Sequence, residues 1–213
     1  MKKTSVDDII EDLKDDLEPC ERFAHPLVSV LPALLIIPAL IFGVAYFIIG
    51  FRADISDLFA SGSAFYLEAF VGTGLSVSAF LALAWMRFPD MRQQRWILYP
   101  VIPFLCAFLW IVFMTPGDGG FGLPHWMWHN IFNGLFMISL PMLGLVYWTR
   151  KGWTTNGVLC ALMMVLGITG FGWLGIRFTC PMDNFLHTFF FNLVPFSAAG
   201  IFAGLLARRL FHW

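Results

Sequence analysis

Charge is what this chain has least of. Only 13% of its 213 residues are Asp, Glu, Lys or Arg, and 59% are hydrophobic. A typical soluble domain carries about 25% charged residues. A globule this small has too much surface for its volume to hide so much apolar area from water. Lipid is the natural solvent for the excess. A basic surplus is also missing, since 13 Lys and Arg stand against 14 Asp and Glu. The chain therefore lacks the footprint of a direct nucleic-acid binder. Its four cysteines are scattered, with no CxxC pair and no disulfide framework. There is no HExxH pairing of metal ligands with a general base, and no serine in a nucleophile motif. Strand-type alternation is absent, which argues against a β-barrel. The glycine-rich stretch 117–122 has no GK[ST] and follows no strand, so it is not a phosphate loop.

What is present is a series of long apolar runs. A membrane-crossing helix needs about 20 mostly apolar residues. Six stretches qualify, at about 28–50, 64–86, 96–115, 125–148, 157–176 and 185–207. The links between them are short and polar or rich in Gly and Pro: Arg52–Ser63, Arg87–Arg95, Pro116–Pro124, Thr149–Asn156 and Arg177–Asn184. Pro32, Pro38, Pro103, Pro141 and Pro195 fall inside spans, where neighbouring helices can satisfy the carbonyls they free. The first run is too long, and the segment before it too acidic, for a cleavable signal peptide. The expected fold is all-α: a six-span polytopic domain at 28–213, preceded by an acidic arm at 1–27 that contains a short amphipathic helix.

Basic residues set the orientation. With both termini inside, the cytoplasmic side holds Lys2, Lys3, Lys14, Arg22, Arg87, Arg92, Arg95, Arg150, Lys151, Arg208 and Arg209. The outer side holds only Arg52 and Arg177. Trp85, Trp96, Trp148, Trp153 and Trp213 then fall near the inner boundary, and Trp126, Trp128 and Trp173 near the outer one. Gly200 and Gly204 form a GxxxG pattern in the last span, and Gly72 with Ser76 a looser small pair. Small residues let helix backbones approach. They serve packing within one chain or a homodimer contact. No internal repeat of the inverted-transporter kind is evident. Glu68, an acid inside the second span, is close enough to the outer surface to snorkel; otherwise it is a functional group.

The arm reads TSVDDIIEDLKDDLE over residues 4–18. Val6, Ile9, Ile10, Leu13 and Leu17 form one helical stripe. Ser5 and Asp8 stand in capping-box positions, Asp7 and Asp8 suit the positive end of the helix dipole, and Pro19 closes the helix. Up to Arg22 there are eight acids (Asp7, Asp8, Glu11, Asp12, Asp15, Asp16, Glu18 and Glu21) against four bases. An anionic leaflet repels such a helix. A groove on a basic protein attracts it. The alternative is a solvated or self-docked helix leading into the first span.

The run from Asp7 to Pro19 resembles the opening of the NrsF-like family of six-helix membrane anti-sigma factors. The far end is more similar still: Cys180-Pro181-Met182-Asp183-Asn184, Leu186-His187, Pro195, Gly200, Gly204, Arg208, Arg209, Leu210 and Trp213. Pro141, Arg150 and Gly152 match the family's fourth-helix ending. The resemblance implies a protein of the bacterial inner membrane that sequesters an extracytoplasmic-function sigma factor and releases it on an outer-side signal. Val6, Ile9, Ile10, Leu13, Asp16 and Leu17 would then contact the sigma factor, with the acids adding steering. Family members often carry a second outer cysteine near the start of the fourth helix. Here Trp128-His129-Asn130 stands there, so Cys180 is the only cysteine in an outer loop and a thiol-pair switch is in doubt.

On the outer face, His125 and His129 lie one turn apart, and Cys180, Asp183 and His187 cluster at the top of the last span. Imidazole, thiolate and carboxylate suit a divalent metal of zinc's type. His125, His129, Cys180 and His187 are the candidate ligands, and Cys180, Asp183 and His187 the candidate sensor. A single reactive thiol or plain structural roles are the competing readings. Two other functions compete with the regulator, which itself needs no catalysis. One is an intramembrane metal-dependent enzyme using the histidines. The other is a small transporter, which would call for polar mid-span residues.

Overall fold

A computed structural model describes residues 24–60, 62–87, 95–114, 127–150, 156–181 and 194–210. Everything described is helix or short connection. The helices are α1 Pro26–Val44, continued by a wider π turn Ala45–Ile49, α2 Ile55–Ala60, α3 Ser63–Met86, α4 Val101–Met114, α5 Met127–Arg150, α6 Gly157–Thr179 and α7 Val194–Leu210. A 3-10 turn, Arg95–Leu98, leads into α4. Five helices are long and apolar enough to cross a membrane, at Pro26–Ile49, Ser63–Met86, Trp96–Met114, Ile131–Arg150 and Gly157–Thr179. The described part of α7 has 17 residues; the start of the expected sixth span, 185–193, lies outside the described residues.

Local sequence explains where the helices begin and turn. Pro26 occupies the first position of α1, where its missing N–H costs nothing. Asn156 caps α6, its Oδ1 accepting the Leu159 N–H at 3.0 Å. Pro103 stands in the first turn of α4, so it breaks no internal hydrogen bond. Pro32, Pro38 and Pro141 do lie inside helices. After the π turn, Gly50 takes φ +90°, and Gly62 before α3 takes φ +77°. Both are left-handed positions that a side chain resists. Between them sits α2, a short helix in a stretch that reads as a polar link.

One helix is central. The most apolar stretch of α6 is 83% buried, against 28% for α1 and α5 and 22% for α4. Its most extensive partner is α3, and α7, α5 and α1 also pack on it. Small residues make this possible. A Cβ on Gly72 of α3 would stand 3.1 Å from the Gly170 carbonyl oxygen, and one on Gly170 would collide with the Gly72 carbonyl and Ser76 Oγ. The two backbones touch. Other α6 glycines receive side chains from other helices: Phe80 lies over Gly167, Phe196 over Gly172, and Ile41 with Met137 over Gly175.

The structure bears on three expectations: the packing of Gly200, the setting of Trp173 and the end of the fifth span. Gly200 faces Val165 of α6, within 3.0 Å of where its Cβ would be, so its open face is taken up inside the chain. Trp173 is 5% exposed and packs edge-on against Phe108 at 5.2 Å. It is a core residue, because Phe108 of α4 packs on it and the stretch of α6 around it is buried. The fifth span runs on past 176 through Arg177, Phe178 and Thr179, because all three have helical partners there. An apolar groove of about 440 Å³ lies among α4, α6 and α7. Thr169 is its one polar lining residue, and that hydroxyl donates to the Val165 carbonyl at 2.8 Å.

Replacing Gly170 with Leu should therefore unseat α6 from α3. The expected loss is about 1–3 kcal/mol or more, as for other overpacked cores. Gly144, mid-helix and open to its surroundings, is the control, since nothing lies within 4 Å of its Cβ position. Gly144→Ala should hold or raise the melting temperature in detergent while Gly170→Leu lowers it. Equal melting temperatures would show that the close approach is not limiting.

Candidate functional site

The bundle has two chemically distinct ends. The distal end collects the close of α1, the π turn, α2, the start of α3 and the close of α6. Phe178 is its hub, with the rings of Phe42, Phe51, Phe59 and Phe65 at 5.6, 5.7, 6.0 and 5.8 Å. Around this aromatic plug run polar ties. The Arg52 N–H donates to the Phe178 carbonyl at 2.9 Å. Its guanidinium donates to the Cys180 carbonyl at 3.2 Å and in fork fashion to Asp54, at 2.7 and 2.6 Å. The loop between α1 and α3 is thus stapled to the end of α6. That bidentate bond holds the Asp54 carboxyl down at about 2, so it is ionised throughout the physiological range.

Glu68 does not snorkel alone. It meets Arg177 at 2.8 Å, with side chains only 17% and 16% exposed. The contact is off the line of a good hydrogen bond, so charge attraction dominates it. The pair joins α3 and α6 on the distal side of the Gly72–Gly170 contact, where the two helices pack closely. Arg177 also suits the negative end of the α6 dipole.

Of the predicted distal constellation, Cys180 alone is placed. It caps α6, its N–H donating to the Ile176 carbonyl at 2.8 Å, and it is 8% exposed and not in a disulfide. His125, Asp183 and His187 lie outside the described residues, as do the arm positions Val6, Ile9, Ile10, Leu13, Asp16 and Leu17. His129 and Gly204 lie on helices, but their surroundings are likewise outside what is described. Among the described residues no three His, Cys, Asp or Glu gather as a metal site would require.

The opposite end is where the arm enters, at the start of α1. His25 caps that helix weakly, accepting the Leu27 N–H at 3.3 Å, and its ring stands edge-on to Trp85 at 5.9 Å. Two residues on, Arg87 closes α3. It is only 8% exposed, and its guanidinium lies over the Trp148 ring of α5 at 4.2 Å. Its Nε finds no acceptor among the described residues. Burial pulls its pKa below the ordinary arginine value, and the buried Cys160 thiol of α6 acts weakly against that. A desolvated cation–π contact is worth about 2 kcal/mol. Withdrawing a cation from water costs several kcal/mol. The site is therefore short of negative charge. Sequence reading places Arg87 as an ordinary basic link residue; nothing local marks its burial, because Trp148 comes from a distant helix.

Comparison with known proteins follows this geometry. The family model described as NrsF, negative regulator of sigma F, matches residues 13–213. No curated protein and no solved structure matches the chain.

The Glu68–Arg177 pair yields a test of its own. Changing either partner alone to Gln strands a charge and should cost up to about 3–5 kcal/mol. The double variant Glu68→Gln, Arg177→Gln should recover much of that. Additive losses in a double-mutant cycle of detergent melting curves would show that the two side chains do not depend on each other.

Proposed function

The chain belongs to the NrsF family, the negative regulators of sigma F, and from that premise we propose that it is a membrane-anchored anti-sigma factor. In this reading six helices hold the chain in the bacterial inner membrane, with both termini in the cytoplasm. The arm grips an extracytoplasmic-function sigma factor through Val6, Ile9, Ile10, Leu13 and Leu17, flanked by Asp16 and its neighbouring acids. The observation that carries the reading is the family match over residues 13–213, joined on one chain to an acidic, one-sidedly apolar arm. Sigma factors bind nucleic acid and so present basic surfaces, and complementary charge speeds encounter and fixes register. Sequestration then needs no enzymatic step.

Release calls for a signal on the other side. The proposed receiver is the distal face, where Cys180, Asp183 and His187, with His125 and His129, would hold a divalent ion of zinc's type. What supports a link between the faces is α6. It carries Arg177, Phe178 and Cys180 at the distal end and Cys160 near Arg87 at the arm end, and it is rigidly packed between. Metal at Cys180 would pull on the Arg52 staple, since that guanidinium holds the Cys180 carbonyl. A discrete shift of a packed helix is how such a signal reaches a remote end.

Three experiments follow. A pull-down with the arm as bait should capture the sigma factor, and Ile10→Asp or Leu13→Asp should weaken capture by tenfold or more. Deleting residues 1–20 in cells should raise the sigma factor's regulon. An unchanged regulon with the arm gone ends the proposal. For the distal face, purified protein should take up zinc, and His125→Ala or Cys180→Ser should reduce the uptake. Equal uptake in all three removes the metal site while leaving the sigma factor reading intact.

A further inference from the structure

We propose that Arg87 and Trp148 form a carboxylate site at the arm end of the bundle, whose occupant is the chain's own acidic segment at Glu18 and Glu21. The receiving side is built. Trp148 fixes the guanidinium from one face, and Nε is buried without an acceptor among the described residues. The one other titratable group acting on Arg87 there is the Cys160 thiol, so no described carboxylate neutralises it. A guanidinium held flat presents a rigid fork, the geometry that takes a carboxylate in two parallel bonds.

The occupant is argued from tether and charge. The arm joins the bundle at His25, which touches Trp85, two residues before Arg87. Glu21 is four residues from His25, a reach of about 14 Å when extended, and Glu18 is seven residues away, about 25 Å. Arg87 is therefore within range of both. The intervening stretch holds one base, Arg22, against these two acids. A group tethered this closely acts at millimolar effective concentration or above. A lipid phosphate carries no such tether to the site.

The site changes how the arm behaves. Glu18 and Glu21 follow directly on Leu17, the last residue of the apolar stripe. Docking them would draw the root of that stripe against the bundle and leave its outer turns to a partner. A shift of Trp148 or α6 would then alter how freely the arm can be gripped. That last step rests on the anti-sigma reading; the docking itself does not.

The test needs no partner. Full-length protein carrying Cys106→Ser and Tyr99→Cys is spin-labelled at residues 20 and 99 and placed in nanodiscs of neutral lipid. Tyr99 is exposed at the start of α4. The expected result is a narrow distance distribution whose main population falls at least fivefold in Arg87→Gln. Glu18→Gln with Glu21→Gln, which leaves the bundle untouched, should do the same, and joining all three changes should add nothing. Exchanging the charges, Arg87→Glu with Glu18→Arg and Glu21→Arg, should restore the narrow component. Indistinguishable distributions in wild type and the arm variant overturn the proposal. So does an Arg87→Gln effect that appears only when anionic lipid is added, because the occupant would then be a lipid phosphate.

Discussion

The backbone contact between Gly72 and Gly170 governs this bundle. Two helices meet there with no side chain between them. In lipid there is little hydrophobic gain from bringing helices together, so close packing has to supply the attraction. Glycine at the crossing allows it. Phe80, Phe196, Ile41 and Met137 then reach α6 at its other glycines, and four helices share one axis. Glu68 and Arg177 are neighbours because that crossing brings their helices together near its distal end.

Much of this was legible in the residues. Long apolar runs located the helices to within a few positions, and Asn156 and Pro26 marked their beginnings. The family itself was readable from Asp7–Pro19 and from the Cys180-Pro181 loop through Arg209. What escaped reading depends on partners far apart along the chain. Glu68 looks like a snorkelling acid until Arg177 is set beside it. Arg87 looks like a solvated link residue until Trp148 covers it. Trp173 looks interfacial because a tryptophan near a span's end usually is, yet Phe108 of α4 covers it. In each case the hydrophobic pattern reports that a residue is in a helix but not which neighbour the helix will have. The arm and the histidines of the distal face remain where sequence alone can take them.

The two ends of α6 divide the chemistry. At the distal end two ion pairs join described groups, Arg52 with Asp54 and Arg177 with Glu68. At the arm end, among the described residues, the Arg87 cation has an aromatic ring and no carboxylate beside it. The described charges of the bundle are therefore distributed unevenly between its two ends.

The helix on which the others depend is the fifth of the long ones to be made. A ribosome delivers α1, α3, α4 and α5 into the bilayer before α6 exists to gather them. Until then Gly72 of α3 and the flanks of α1 and α5 that meet α6 have no permanent partner. The early helices must wait as a loose set, and translation that stops short of residue 157 leaves a product without its axis. Quality-control proteases can tell such a product from the finished protein by the absence of one segment. Assembly of this chain is consequently timed by its late arrival, and a slow codon or stall just upstream would lengthen the period of risk.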